Sequence, residues 1–103
     1  MKHTIKHDLD TATARKVARK ACETYAQRFT EYNPQAMWVN DDKAKISFKA
    51  KGMSLDGVIE LRPGAIDLDL DVPFLLKPFQ GKAVGIIEQE MQKWISKAKA
   101  GEV

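Results

Sequence analysis

Cysteine occurs once in these 103 residues, at Cys22. A lone cysteine excludes an intramolecular disulfide and a cysteine zinc cluster, and makes a reducing compartment the natural setting. Histidine is nearly as scarce. His3 and His7, four residues apart on a strand, would stand ~13 Å from one another, too far to share an ion. No apolar run approaches the roughly 20 residues that span a bilayer, and the opening MKHTIKHDLD has no apolar h-region, so a cytoplasmic protein is expected. A glycine-rich phosphate loop is also missing: Gly52 and Gly57 fall in and after a hairpin turn, and RPGA reads as a turn. Excess charge is small, +3 overall. That tilts the chain toward anionic partners without the lopsided basicity of a nucleic-acid binder, so nucleic acid is not an expected partner. Repeats, low-complexity tracts and linkers are absent, and one domain over residues 1–103 is expected. With 44% apolar and 30% charged residues the composition is that of a folded protein.

What is present centres on residues 65–82, AIDLDLDVPFLLKPFQGK. Ile66, Leu68, Leu70 and Val72 alternate with Asp67, Asp69 and Asp71, the period of a strand with one dry and one wet face. Pro73 and Pro78 then bracket Phe74, Leu75 and Leu76, where neither strand nor helix continues easily. These three either plug a corner of the core or stand on the surface for a partner.

Around that stretch the periodicities alternate. Thr4 to His7 reads as a short strand, too short to be central and so at an edge or beside one, and Asp8, Asp10 and Thr11 are competing N-caps for the helix that follows. From Thr11 to Tyr32 the positions Ala14, Val17, Ala18, Ala21, Tyr25, Phe29 and Tyr32 form one apolar stripe, small at its start and aromatic at its end. The helix should therefore lie close to the sheet first and stand off later. Met37, Trp38 and Val39 lead into the turn NDDK. Ala44, Ile46, Phe48 and Ala50 then alternate with a lysine row ending at Lys51, and Met53 to Leu61 continue after Gly52. Tight turns would place Lys43 beside Glu60, and Glu60 and Asp56 beside Asp67 and Asp71. A last helix from about Gln80 to Ala100 carries Val84, Ile87, Met91, Trp94 and Ala98 on one side. The expectation is an α+β two-layer sandwich, β-α-β-β-β-α, with an antiparallel sheet and both long helices on its single dry face.

Chemistry is thinly represented. His7 before the first helix could act as a base, but no serine or cysteine stands with it in a recognisable frame, so capping or packing is expected of both histidines. Cys22 beside the apolar stripe reads as a small hydrophobe. The Asp rows read as a solvated face flanked by lysines, and Arg15, Lys16, Arg19 and Lys20 as a solvated helix face. No catalytic residue, metal site or cofactor is expected, and no enzyme. The informative surface is the turn, where Phe74, Leu75, Leu76 and Phe79 with Lys77 and Lys82 have the make-up of a contact with an apolar phase or another protein.

In order and spacing, these segments resemble the small family of putative polyhydroxyalkanoic acid system proteins. The resemblance rests on His7 to Leu9 before the first helix, Ala14 and Arg15 within it, Trp38 at the hairpin, ISFKAKG with Gly57 after it, PFLLKPFQGK, and Ile87 with Glu88. It runs from His3 to about Lys97 and implies association with, or regulation of, cytoplasmic polyhydroxyalkanoate granules in bacteria, with no catalytic residues. The acidic row Asp67, Asp69 and Asp71 departs from the family pattern and argues against that face touching a polyester; Asp56 also departs from it.

The leading expectation is a non-enzymatic binding or regulatory protein that meets a granule surface or a granule protein through Phe74, Leu75, Leu76, Lys77, Phe79 and Lys82. Two others stand beside it: a binder of small hydrophobic ligands such as acyl chains, held in a cavity between helices and sheet, and a homodimeric interaction module.

Overall fold

The computed structural model describes residues 2–50 and 52–102. Strand β1 (Lys2–Lys6) leads to helix α1 (Thr11–Arg28) and a short 3-10 turn (Thr30–Tyr32). Four strands follow, β2 (Gln35–Asn40), β3 (Lys43–Ala50), β4 (Met53–Arg62) and β5 (Ala65–Asp71). A second 3-10 turn (Phe74–Phe79) then runs directly into helix α2 (Gln80–Lys99). All neighbouring strands are antiparallel, in the order β1-β5-β4-β3-β2. The α+β two-layer expectation holds, with one strand more than β-α-β-β-β-α. Residues 35–40 form a full edge strand, paired from Gln35↔Ser47 to Asn40↔Lys43, with an irregularity between Trp38 and Asn40. Its alternation is blurred in sequence because Met37 and Val39, on the open side, are as apolar as Trp38. An edge strand with one neighbour and a kink tolerates that pattern.

Register follows the turns. Lys43 pairs with Glu60, Glu60 with Asp67, and Asp56 with Asp71, as the hairpin lengths require. Between β4 and β5, Gly64 takes φ 76°, a backbone state that glycine enters without a Cβ penalty. Lys51, the end of the lysine row, and the side chain of Ala50 lie outside the described residues.

The dry face supplies Ile5, Phe48, Leu55, Ile59, Leu61, Ile66, Leu68, Leu70 and Val72 to one buried cluster, and Ala44 is buried as well. Helix α1 adds Ala14, Val17, Ala18 and Ala21, and α2 adds Val84, Ile87, Met91 and Ile95, so both helices cover the same face. Gly57 lies in the middle of this face opposite Leu70 and Ile46. A Cβ there would come within 2.7 Å of Leu70 Cδ2 and 2.9 Å of the Asp69 carbonyl oxygen, so the sheet closes over a position only glycine fits.

Of the three candidate caps, Asp10 is the one used: its Oδ1 accepts the Thr13 N–H at 2.8 Å. The α-helix stops at Arg28, not at Tyr32, and the chain tightens into the 3-10 turn before Asn33 takes a left-handed φ of 45°. Tyr25, Phe29 and Tyr32 stack successively there, with ring centroids 4.8 and 6.3 Å apart. The alanine end of α1 is buried and its aromatic end only half-buried, the standing-off that the residue sizes imply.

Candidate functional site

Pro73 turns the chain out of β5, and the Leu76 N–H donates to its carbonyl oxygen at 2.8 Å. At three residues per turn, residues i and i+3 of a 3-10 helix share a side. Leu76 and Phe79 accordingly share a side and line one cleft, while Phe74 aligns with Lys77. The apolar triplet is thereby split. Leu76 is 1% exposed and belongs to the core, whereas Phe74 is 84% and Leu75 72% exposed. Leu76 therefore leaves the expected contact set, because its side chain is consumed by packing. Phe74, Leu75, Lys77, Phe79 and Lys82 remain at the surface. The Gln80 N–H is already taken by the Lys77 carbonyl, so the helix start continues the turn.

Beside this tip lies a cleft of about 150 Å³ between the end of α1 and the start of α2, walled by Tyr25, Tyr32, Phe48, Ala83 and Ile86 with Lys82 at its rim. Ile86 escaped the sequence reading because it falls beside the main stripe; the doublet Ile86–Ile87 was the available signal of a wider apolar arc. Tyr25 and Phe48 also wall a smaller, half-open cavity of about 60 Å³, lined further by Ala21, Ile46, Ile87 and Met91 and, at the edge strand, by Gln35 and Ala36. Ligand pockets usually measure several hundred Å³, so this cavity does not enclose an acyl chain.

Glu90 lies in the wall of that small cavity, 3% exposed. Its Oε1 accepts from an Arg28 guanidinium N–H, reaching from the last turn of α1, while its enclosed Oε2 has no hydrogen-bond partner among the described residues. Arg28 also lies over the Phe29 ring, 5.3 Å from its centroid. Sequence reasoning missed Glu90. It stands three residues after Ile87, inside the three-four rhythm of the buried stripe, and a carboxylate there was the signal.

The remaining candidates are in structural use. His7 Nδ1 accepts the Leu9 N–H at 3.1 Å, a local turn before α1, and His3 Nε2 meets Glu88 Oε1 at 2.5 Å, tying β1 to α2. Burial pushes the Cys22 thiol up to about 11 and the Tyr25 phenol up to about 12, so both stay protonated near neutral pH. Arg15 forms a two-point pair with Asp42, at 2.8 and 3.1 Å, and its hydrogen bond holds the Asp42 carboxyl below the usual aspartate range. Arg19 lies 4.4 Å from the Trp38 ring centroid. The basic face of α1 thus spends two of its cations holding the β2–β3 hairpin. On the wet sheet face Asp67 accepts from Arg62 at 2.6 Å and from Thr4 at 2.8 Å. Among the described residues no group of three or more His, Cys, Asp or Glu side chains is placed to hold a metal ion. Nor is any helix long and apolar enough to cross a membrane.

A family model described as "Putative polyhydroxyalkanoic acid system protein" matches residues 2–95. No curated protein and no solved structure matches the chain.

Proposed function

Because the chain belongs to the family of putative polyhydroxyalkanoic acid system proteins, we propose that it is a non-enzymatic cytoplasmic protein that attaches to the apolar surface of polyester granules in bacteria. The observation that carries this reading is the pair Phe74 and Leu75, 84% and 72% exposed on a turn that buried Leu76 pins to the core. A rigid turn loses little conformational entropy when its tip enters an apolar phase. Fully burying a side chain of this size is worth about 1.5–3 kcal/mol, so the pair supplies about 3–6 kcal/mol, which suits reversible attachment. Lys77 and Lys82 can lay their stems along the same surface and keep their ammonium groups in water. The charged face of Asp56, Glu60, Asp67 and Asp71 belongs to the side of the sheet away from the helices and stays solvated.

Co-sedimentation with purified granules tests the proposal. The double variant Phe74→Ser, Leu75→Ser should keep its fold and lose at least a hundredfold in granule partitioning, the equivalent of about 3 kcal/mol. A folded double variant that pellets like the unsubstituted protein would refute attachment through this turn.

A further inference from the structure

A strand at the border of a sheet leaves the N–H and C=O of alternate residues without a neighbour, and folded proteins usually guard that side with charge, proline or a covering element. The two borders of this sheet differ. β1 carries Lys2 and Lys6, whereas β2, with the sequence QAMWVN, has neither charge nor proline. All of β2 except Trp38 is exposed, Met37 at 63% and Val39 at 48%. Its irregularity falls at the hairpin end, between Trp38 and Asn40, so Gln35 to Trp38 keep regular pairing. We propose that β2 joins the β2 strand of a second copy of this chain, antiparallel about a two-fold axis through Met37, so that the two sheets become one.

The occupant follows from what a two-fold pairing of this strand sets face to face. Ala36 stands opposite the partner subunit's Trp38, Met37 opposite the partner's Met37, and Gln35 opposite the partner's Val39. On the helix side a small residue thus meets a large one. Gln35 and Ala36 line the open mouth of the apolar recess between α1 and the sheet, and the ring arriving there is one that Arg19 holds, 4.4 Å from its centroid, within each subunit. On the open side methionine meets methionine, beside Lys45, which pairs with Met37 in the same subunit. The two Lys45 positions are then three strand spacings apart, about 14 Å, beyond the screening length of about 8 Å. The other border fails the same comparison. A two-fold through Thr4 would set Lys2 opposite the partner's Lys6, a like-charge contact. Pairing of six-residue strands buries less than a standard interface of about 1,600 Å², so the dimer is weak, with a Kd on the order of 10–100 µM.

The strand shares no residue with the Phe74–Leu75 tip and association is read without granules, so this inference and granule attachment fail separately. Sedimentation equilibrium of the full chain up to about 1 mM should show a monomer–dimer equilibrium. Met37→Lys, at an exposed position, should keep the fold and weaken the dimer about tenfold or more by setting like charges opposite one another. The double variant Phe74→Ser, Leu75→Ser should dimerise as the unsubstituted chain does. In a Cys22→Ala background, Met37→Cys should give a disulfide-linked dimer on mild oxidation, because facing residues of antiparallel strands bring their Cα atoms within about 4.5–5.5 Å. Leu75→Cys, also exposed, should link far more slowly. A chain that stays monomeric at about 1 mM leaves β2 to a strand of some other protein and overturns the assignment. So does a dimer that Met37→Lys leaves intact or the turn variant abolishes, or a Met37→Cys chain that links no faster than Leu75→Cys. If Met37→Lys does not fold, the cysteine comparison decides by itself.

Discussion

Leu75 and Leu76 are chemically identical neighbours, and truncating each to alanine should give opposite results. Leu76 is 1% exposed and packed in the central cluster. Buried Leu→Ala changes cost about 2.7–5.0 kcal/mol, rising with the volume left unfilled. Leu76 borders the cleft beside the tip, where Phe79 and Ile86 can relax toward the missing atoms, so the loss should fall near the lower end, about 3 kcal/mol. In a domain of this size that lowers the thermal midpoint by about 12–20 °C. With a urea slope of about 1–1.5 kcal/mol/M, the denaturation midpoint falls by roughly 2–3 M. Leu75, 72% exposed, should change stability by no more than about 0.5 kcal/mol on truncation. Urea unfolding followed by tryptophan fluorescence, with equal slopes checked between variants, measures both. Equal losses at the two positions, or a larger loss at Leu75, would refute the split of the turn on which the proposed contact depends.

Gly57→Ala should destabilise by about 1–3 kcal/mol, read in the same urea experiment, because the new methyl meets Leu70 Cδ2 and the Asp69 carbonyl and must push two strands apart; an unchanged midpoint would show that the sheet does not close over this position. The hydrogen bond from Arg62 holds the Asp67 carboxyl below its ordinary value of 3.8, with Thr4 adding to the effect. A lowered folded-state value contributes stability that is present above the unfolded value near 3.8 and is lost as pH falls through the folded one. Carboxyl-detected NMR titration should find Asp67 below that value, and Arg62→Ala should raise it; no upward movement would remove Arg62 as the cause.

The candidate site owes its two parts to one geometric fact, the way α1 lifts off the sheet. Alanines at 14, 18 and 21 let the helix lie close to the strands, and Tyr25, Phe29 and Tyr32 then hold it away. The gap opened at that end becomes the cleft and the smaller cavity, and α2 enters it carrying Ile86, Ile87 and Glu90. The turn that must reach α2 from β5 passes this gap and closes it with Leu76.

The family resemblance was legible from His7 to Leu9, Trp38, ISFKAKG and PFLLKPFQGK, and the matched span of residues 2–95 agrees with it. Periodicity and turn length determined the two helices, the dry face and the pairing of Lys43 with Glu60 and of Asp56 with Asp71, because a two-residue period joined to a tight turn leaves one register that buries the apolar row. Three consecutive apolar residues between prolines carry no period, so nothing local distinguishes Leu75 from Leu76; the direction of β5 and the start of α2 decide which one meets the core. Edge strand β2 is likewise settled by pairing with β3, which supplies the hydrogen bonds that its own blurred pattern does not announce. Glu90 becomes an enclosed, half-satisfied carboxylate only when Arg28, 62 positions away, is brought against it by helix packing. Local sequence sets which face of an element is apolar; which atoms that face leaves unmet depends on what the rest of the chain places opposite.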